Sequence, residues 1–279
     1  MKVVITGGSG RLGKDLFNVF ERDHTVSAPS RKELEITSFE QVNQYFDAVQ
    51  PEILIHSAAM ADADVCQLDP AKAFWVNTMA TQNLALACQK HRTTMVFIST
   101  DYVFDGTSGT PYTEFDLPNP INVYGKTKLA AEKFIEQSVE KNFIIRTAWL
   151  FGAYAPNFLS SVLDAARTGQ PMRAAFDQSG SPTSTIDLSE AILELVNTPF
   201  YGIYNIVNRG GLTWYEYARL ILTIARTDAM IEPIRKEQRG PAPRPGNTIL
   251  NPLSLDLRGI YNMPEISDAI SRCVYSLRK

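Results

Sequence analysis

The chain has 279 residues, 44% of them hydrophobic and 20% charged, which supports a sizeable core and excludes a disordered, collagen-like or disulfide-stapled polypeptide. Its 27 Lys and Arg against 30 Asp and Glu leave a net charge of -3, so no global basic field exists to gather nucleic acid or an anionic membrane. Cys66, Cys88 and Cys273 form no C-x-x-C pair and His24, His56 and His91 are scattered, which argues against a disulfide framework or a protein-ligated metal and suits a reducing cytoplasm.

No apolar stretch reaches the roughly 18 residues of a membrane span, and the apolar run Val3-Val4-Ile5 close to the start, with no charged n-region and long h-region, leads us to expect no secretory signal. In chain order, apolar runs predict strands at 2–6, 24–28, 53–57, 94–99 and 142–147, alternating with helical segments as βαβ units of a parallel sheet do. Phe39, Val42, Tyr45, Phe46 and Val49 form an amphipathic stripe behind a Ser38-Phe39-Glu40-Gln41 capping-box pattern. Residues 70–90 and 126–140 also read as helices. After Arg146 the regularity weakens, and Pro156, Pro171, Pro182 and Pro199 cut the chain into the pieces of a smaller lobe. Helices are expected at 187–197 and 213–226, the second capped by Thr213 with Glu216 three residues on, and 202–207 reads as a strand between them. Residues 235–247 form a basic loop punctuated by Pro and Gly.

Directly after the first strand comes Thr6-Gly7-Gly8-Ser9-Gly10-Arg11-Leu12-Gly13, then a helical pattern. Glycines at 7, 10 and 13 allow a tight turn, close approach of the backbone to a pyrophosphate, and close packing of helix on strand. At the end of the second strand, where an NAD enzyme places a carboxylate on the adenosine ribose, this chain has Ser30 and Arg31. These can donate to a 2′-phosphate, which predicts NADPH with NADH as the alternative; the competing reading of Arg31 is a solvated loop charge.

Thr100 follows the fourth strand, at the sheet edge where ligands of open α/β folds bind. Tyr124 and Lys128, four apart, share a helix face, so the ammonium is expected to lower the phenol's pKa. With Thr100 bonding a carbonyl, the three make a proton-handling set. Tyr275 and Lys279 repeat the spacing at the C-terminus without a preceding strand, so position selects Tyr124 and Lys128.

Together with Ser99 to Gly106, Asn119 to Lys128, Arg146 to Gly152 and Thr213 to Ala218, the glycine turn resembles the extended short-chain dehydrogenase/reductases and, within them, the dTDP-4-dehydrorhamnose reductase family. The resemblance implies an α/β fold: a Rossmann-type doubly wound parallel sheet with a smaller C-terminal substrate-binding lobe. It assigns 1–150 plus about 184–208 to the NADP-binding unit, and 151–183 plus 209–279 to a nucleotide-sugar lobe. It implies transfer of hydride from NADPH to C4 of dTDP-4-dehydro-L-rhamnose, with Tyr124 as proton donor, Lys128 lowering its pKa and holding the nicotinamide ribose, and Thr100 polarising the ketone. The cofactor site it carries over is Gly7, Gly10, Arg11, Leu12, Gly13, Ser30, Arg31, Ala58, Ala59 and Asn77 with Tyr124 and Lys128. The sugar-nucleotide site is Thr100, Tyr102, Trp149, Asn157 and Arg244, where Trp149 also reads as a core aromatic and Arg244 as a loop charge.

The resemblance also suggests a homodimer; composition, charge and spacing predict no metal site and no nucleic-acid or membrane partner, although some family members are associated with magnesium. The chain departs from the family pattern at Met60-Ala61, where the family places Tyr-Thr beside nicotinamide and sugar, so the identity of the sugar stays open. Two alternatives remain: a non-catalytic NADP-binding subunit, as in the methionine adenosyltransferase β subunit, and a reductase or epimerase of another nucleotide sugar.

Overall fold

In the computed structural model, which describes residues 1–154 and 156–277, the first half runs β1 (Lys2–Thr6), α1 (Arg11–Phe20), β2 (Thr25–Ser27), α2 (Phe39–Val49), β3 (Ile53–His56), α3 (Ala63–Leu68), α4 (Pro70–Phe74), α5 (Ala80–His91), β4 (Thr94–Ile98), α6 (Val123–Ser138) and β5 (Asn142–Arg146). The second half adds β6 (Leu150–Phe151), α7 (Phe158–Thr168), β7 (Met172–Ala175), β8 (Ser179–Gly180), β9 (Thr183–Ser184), α8 (Thr185–Val196), β10 (Gly202–Asn205), β11 (Leu212–Thr213), α9 (Trp214–Ala225), β12 (Ile231–Ile234), α10 (Leu253–Arg258) and α11 (Ile266–Ser276). Six strands form one sheet in the order β10-β5-β4-β3-β1-β2, parallel at every pairing.

The strands read as unbroken apolar runs because helices cover both sheet faces. Val3, Ile5, Ile55, Val96 and Ile145 pack with residues of α1 and α8 on one face, while Val4, Leu54, Met95, Phe97 and Ile144 pack with α2, α5 and α6 on the other. Neighbours along a strand thus serve opposite cores, as a period of two requires. A third core joins α7, α9 and α11 through Leu159, Val162, Tyr217, Ile221 and Ile270. Leu255 of α10 and Met263 belong to the first core, so the C-terminal stretch touches both halves.

Three elements differ from expectation. The 70–90 segment forms α4, a π-helical turn over Trp75–Met79, and α5; it starts where the Asp69 carboxylate accepts from the Lys72 amide. α6 begins three residues earlier than the pattern suggests because Asn122 caps it, accepting from Gly125 N at 2.8 Å. α7 rises from an irregular-looking stretch through a capping box between Asn157 and Ser160. Lys279, half of the second Tyr-x-x-x-Lys match, lies outside the described residues.

Candidate active site

A cleft of about 550 Å³ opens at the carboxyl ends of the strands. Gly7, Gly10, Arg11, Leu12 and Gly13 line one side of it. Gly7 has φ +75°, and a Cβ there would lie 2.7 Å from the Ala58 amide nitrogen; at Gly13 it would meet the Gly7 carbonyl. The turn is therefore closed tightly on β3 and on itself, as only glycine permits. Gly10 precedes α1 as its N-cap and, being glycine, supplies no side-chain cap, so the first amides of α1 are free of side-chain acceptors. Such a helix end at a cleft fits a dinucleotide diphosphate.

The Arg11 guanidinium donates to Leu150 O at 2.7 Å and to Pro156 O, tying this turn to the lobe. Ala59 also lines the cleft, whereas Ala58 lies behind the turn. Asn77 stands apart from the lining: it accepts from Met60 N and donates to Met60 O and Thr127 Oγ1, binding the loop after β3 to α6. Ser30 and Arg31 are exposed and outside the lining, with Arg31 Nε 2.7 Å from Glu35.

On the facing side stand Thr100, Tyr124 and Lys128. Thr100 ends the β4 connection, accepting from Tyr102 N at 3.1 Å and donating to Asp101 Oδ1 at 3.0 Å. Gly125 lets the first turn of α6 press onto that segment, since a Cβ there would strike the Tyr102 carbonyl. This contact brings Tyr124 beside Thr100, with its ring edge-on to Tyr102 at 6.2 Å between centroids. Lys128 is 1% exposed, with Nζ 3.9 Å from the Phe97 ring centre.

The electrostatics correct one expectation. Burial, and then the Asp101 carboxylate, push the Tyr124 phenol above its ordinary value, opposed by the Thr100 hydroxyl. The net shift is upward even with Lys128 one turn away, and burial pulls Lys128 itself down to about 7, against the raising effect of Glu132. Lys128 lies against the Phe97 ring at the buried end of the cleft, where desolvation outweighs the attraction between an ammonium and a phenolate.

The sugar-side expectations divide. Tyr102 lines the cleft and its hydroxyl accepts from Gln178 Nε2 at 3.0 Å. Trp149 lines it too, in a left-handed backbone conformation (φ +46°), with its indole stacked on Trp214 at 3.7 Å. Arg244 lines it while paired to Asp64 at 2.5 Å. Asn157 does not line it: its side chain caps α7 and donates to Gly152 O at 2.9 Å.

Sequence reasoning missed Asp64, Asp101, Trp214 and Arg239. Arg239 lies 4.6 Å over the Trp214 ring and donates to Gln178 Oε1. Asp101 offered a signal, a carboxylate inside a Thr-Asp-Tyr strand end; Asp64 and Arg239 owe their place to long-range pairing. Among the described residues no group of three or more His, Cys, Asp or Glu could hold a metal, and no helix is long and apolar enough to cross a membrane.

A glycine turn shaped for a diphosphate, facing a hydroxyl, a phenol and an ammonium across one cleft, suits carbonyl reduction with proton transfer. The sequence profile of the RmlD substrate binding domain matches residues 1–279. The chain belongs to that family. This RmlD-family chain is 35% identical over 261 residues to the spore coat polysaccharide biosynthesis protein SpsK of Bacillus subtilis, covering 93% of the chain and 92% of its relative. It is 34% identical over 257 residues to a dTDP-4-dehydrorhamnose reductase of Streptomyces griseus, covering 89% and 84%. The structure of dTDP-4-dehydrorhamnose reductase from Bacillus anthracis in complex with NADP superposes with a TM-score of 0.95 at 34% identity, over 99% of each chain.

Proposed function

We propose that this chain is an NADPH-dependent reductase that converts the C4 ketone of dTDP-4-dehydro-L-rhamnose to the alcohol of dTDP-L-rhamnose. The observation that carries this reading is the meeting of Thr100, Tyr124 and Lys128 with the glycine turn in one cleft, in a family whose relatives include dTDP-4-dehydrorhamnose reductases. The first amides of α1 would hold the cofactor diphosphate, and Ser30 and Arg31 the 2′-phosphate once Arg31 leaves Glu35. A nicotinamide dinucleotide bound there supplies the hydride.

Thr100 donates a hydrogen bond to the C4 ketone and Tyr124 transfers its proton to the C4 oxygen. A phenol held above its ordinary pKa is protonated at neutral pH, the state a proton donor needs. Lys128, still partly charged near neutrality, stabilises the phenolate left behind and reaches the nicotinamide ribose. Tyr102 and Trp149 flank the sugar, and Arg244 exchanges Asp64 for the diphosphate. Asn157 acts through the start of α7, which it caps, and through its bond to Gly152 O. In this reading 1–150 plus about 184–208 hold the cofactor, and 151–183 plus 209–279 form the nucleotide-sugar lobe of a cytoplasmic homodimer.

The Met60-Ala61 departure favours a second sugar as an alternative substrate, and a 32% identical relative from Streptomyces niveus is a dTDP-4-keto-6-deoxy-D-glucose reductase. NADPH consumption measured with both dTDP-4-keto sugars, and with Tyr124→Phe as control, tests the reading. Turnover that collapses in the variant is expected. NADPH binding without turnover of either sugar would overturn the reading in favour of a regulatory subunit.

A further inference from the structure

Behind the reactive trio lies a buried charge cluster that the proposed chemistry does not use. Glu132, one helical turn beyond Lys128, is fully buried; Oε2 accepts from Arg146 Nη2 at 2.7 Å and Oε1 accepts from the Ser99 hydroxyl. Both partners of the ion pair are nearly solvent-free, at 2% and 1% side-chain exposure. Arg146 Nη1 has no hydrogen-bond partner, and its guanidinium lies 5.2 Å from the Phe104 ring centre.

These anchors belong to the elements that carry the reactive residues. Ser99 precedes Thr100 at the end of β4, Arg146 ends β5, and Glu132 follows Tyr124 and Lys128 at four-residue steps on α6. Removing a buried carboxylate would leave two buried cations, Arg146 and Lys128, without their shared anion, a costly state. Among titratable and charged groups, Glu132 raises Lys128 and Lys128 lowers His56 of β3; Tyr124 and Asp101 line the same cleft as Lys128, and Arg146 of β5 is joined to this group through Glu132. No hydrogen bond joins Glu132 to Lys128, so the carboxylate acts on the ammonium through space, where low dielectric makes its charge felt.

We propose that Glu132 is a positioning residue for the proton-transfer set: clamped by Ser99 and Arg146, it fixes α6 against the end of β4 and keeps the Lys128 ammonium charged. The raising effect of Glu132 on Lys128, set against burial, agrees with this geometry. The test is an NMR titration of protein labelled with 13C at lysine Cε, with the Lys128 signal assigned by its loss in Lys128→Arg. In Glu132→Gln the Lys128 midpoint is expected to fall by about one pH unit or more, a tenfold or greater fall in the ratio of protonated to neutral amine.

If that variant does not fold, Glu132→Met/Arg146→Met replaces the ion pair with apolar volume. The midpoint again falls, by less than in Glu132→Gln because the Arg146 cation leaves with the carboxylate that raises Lys128. An unmoved midpoint in a folded variant overturns the proposal. The titration needs no substrate and so stands apart from the reductase reading. On that reading, the alkaline limb of the pH–turnover profile also moves down with KM for the nucleotide sugar unchanged, whereas a purely structural residue would depress turnover equally at every pH.

Discussion

Replacing Gly180 with alanine should impair use of the nucleotide sugar while sparing the cofactor. A Cβ at this position would lie 2.5 Å from Trp149 Cε2 and 2.7 Å from Cζ2, whereas carbon atoms settle about 3.5–4.0 Å apart. The indole must therefore retreat by about 1 Å. Trp149 is also stacked on Trp214, which carries Arg239 on its ring, so the displacement passes along the sugar-side wall of the cleft. Overpacking of this kind costs about 1–3 kcal/mol, or a fall of several degrees in Tm for a chain of this size. A misplacement of about 1 Å near a reacting centre can cost on the order of 100-fold in rate. We expect that scale of loss in kcat/KM for the dTDP-4-keto sugar, with the NADPH Kd, read by fluorescence, close to wild type. Unchanged kcat/KM would refute the placement of Trp149 at the substrate; a parallel loss of NADPH affinity would refute the separation of the two sides of the cleft.

Two buried groups make opposite pH predictions. His56, between Thr6 Oγ1 and Thr81 Oγ1, is lowered from 6.5 to about 3 by burial and then by Lys128. The unfolded chain takes up a proton over that window that the folded chain does not, so stability is whole above pH 6.5 and falls with acid, by up to about 5 kcal/mol. Urea unfolding of His56→Asn should show a flatter acid limb than wild type; an equally steep one contradicts the assignment. Burial raises Asp101 from 3.8 to about 6, so its stability contribution is present below 3.8 and is lost as pH rises through about 6, worth up to about 3 kcal/mol. The stability of Asp101→Asn relative to wild type should accordingly increase across that interval in the same assay, and a constant difference would count against it. Arg244→Ala should raise KM for the nucleotide sugar by about 10-fold or more, the scale of a charged hydrogen bond, and an unchanged KM would leave Arg244 a partner of Asp64 alone.

The features legible in the sequence are those written by neighbours in the chain. The glycine turn announces itself because strand, glycines and helix are contiguous, and Thr213 with Glu216 marks α9 by a local capping box. Tyr124 and Lys128 are marked by their position after a strand that ends in Thr100, since their spacing recurs at Tyr275 and Lys279, yet the state of Lys128 is not legible. It depends on Phe97 of β4 and on burial that only the folded chain supplies. The π-helical turn escaped for the same reason: Asn77 and Thr78 bond to Thr127 across to α6, and no local pattern encodes that pairing. Arg239 and Asp64 are separated from their partners by 61 and 180 residues. Periodicity carries no information over such distances, so Asp64 and Arg239 are placed in the cleft wall only by the folded chain.

The central claim is hydride delivery to C4 of a dTDP-4-keto sugar with Tyr124 as proton donor, and isotope transfer tests it most directly. With NADPH deuterated at the nicotinamide C4, the product sugar should carry one deuterium at its own C4, and Tyr124→Phe should abolish the transfer. Bound NADPH with no deuterium in any sugar, or sugar conversion that leaves the cofactor's deuterium in place, would contradict the account.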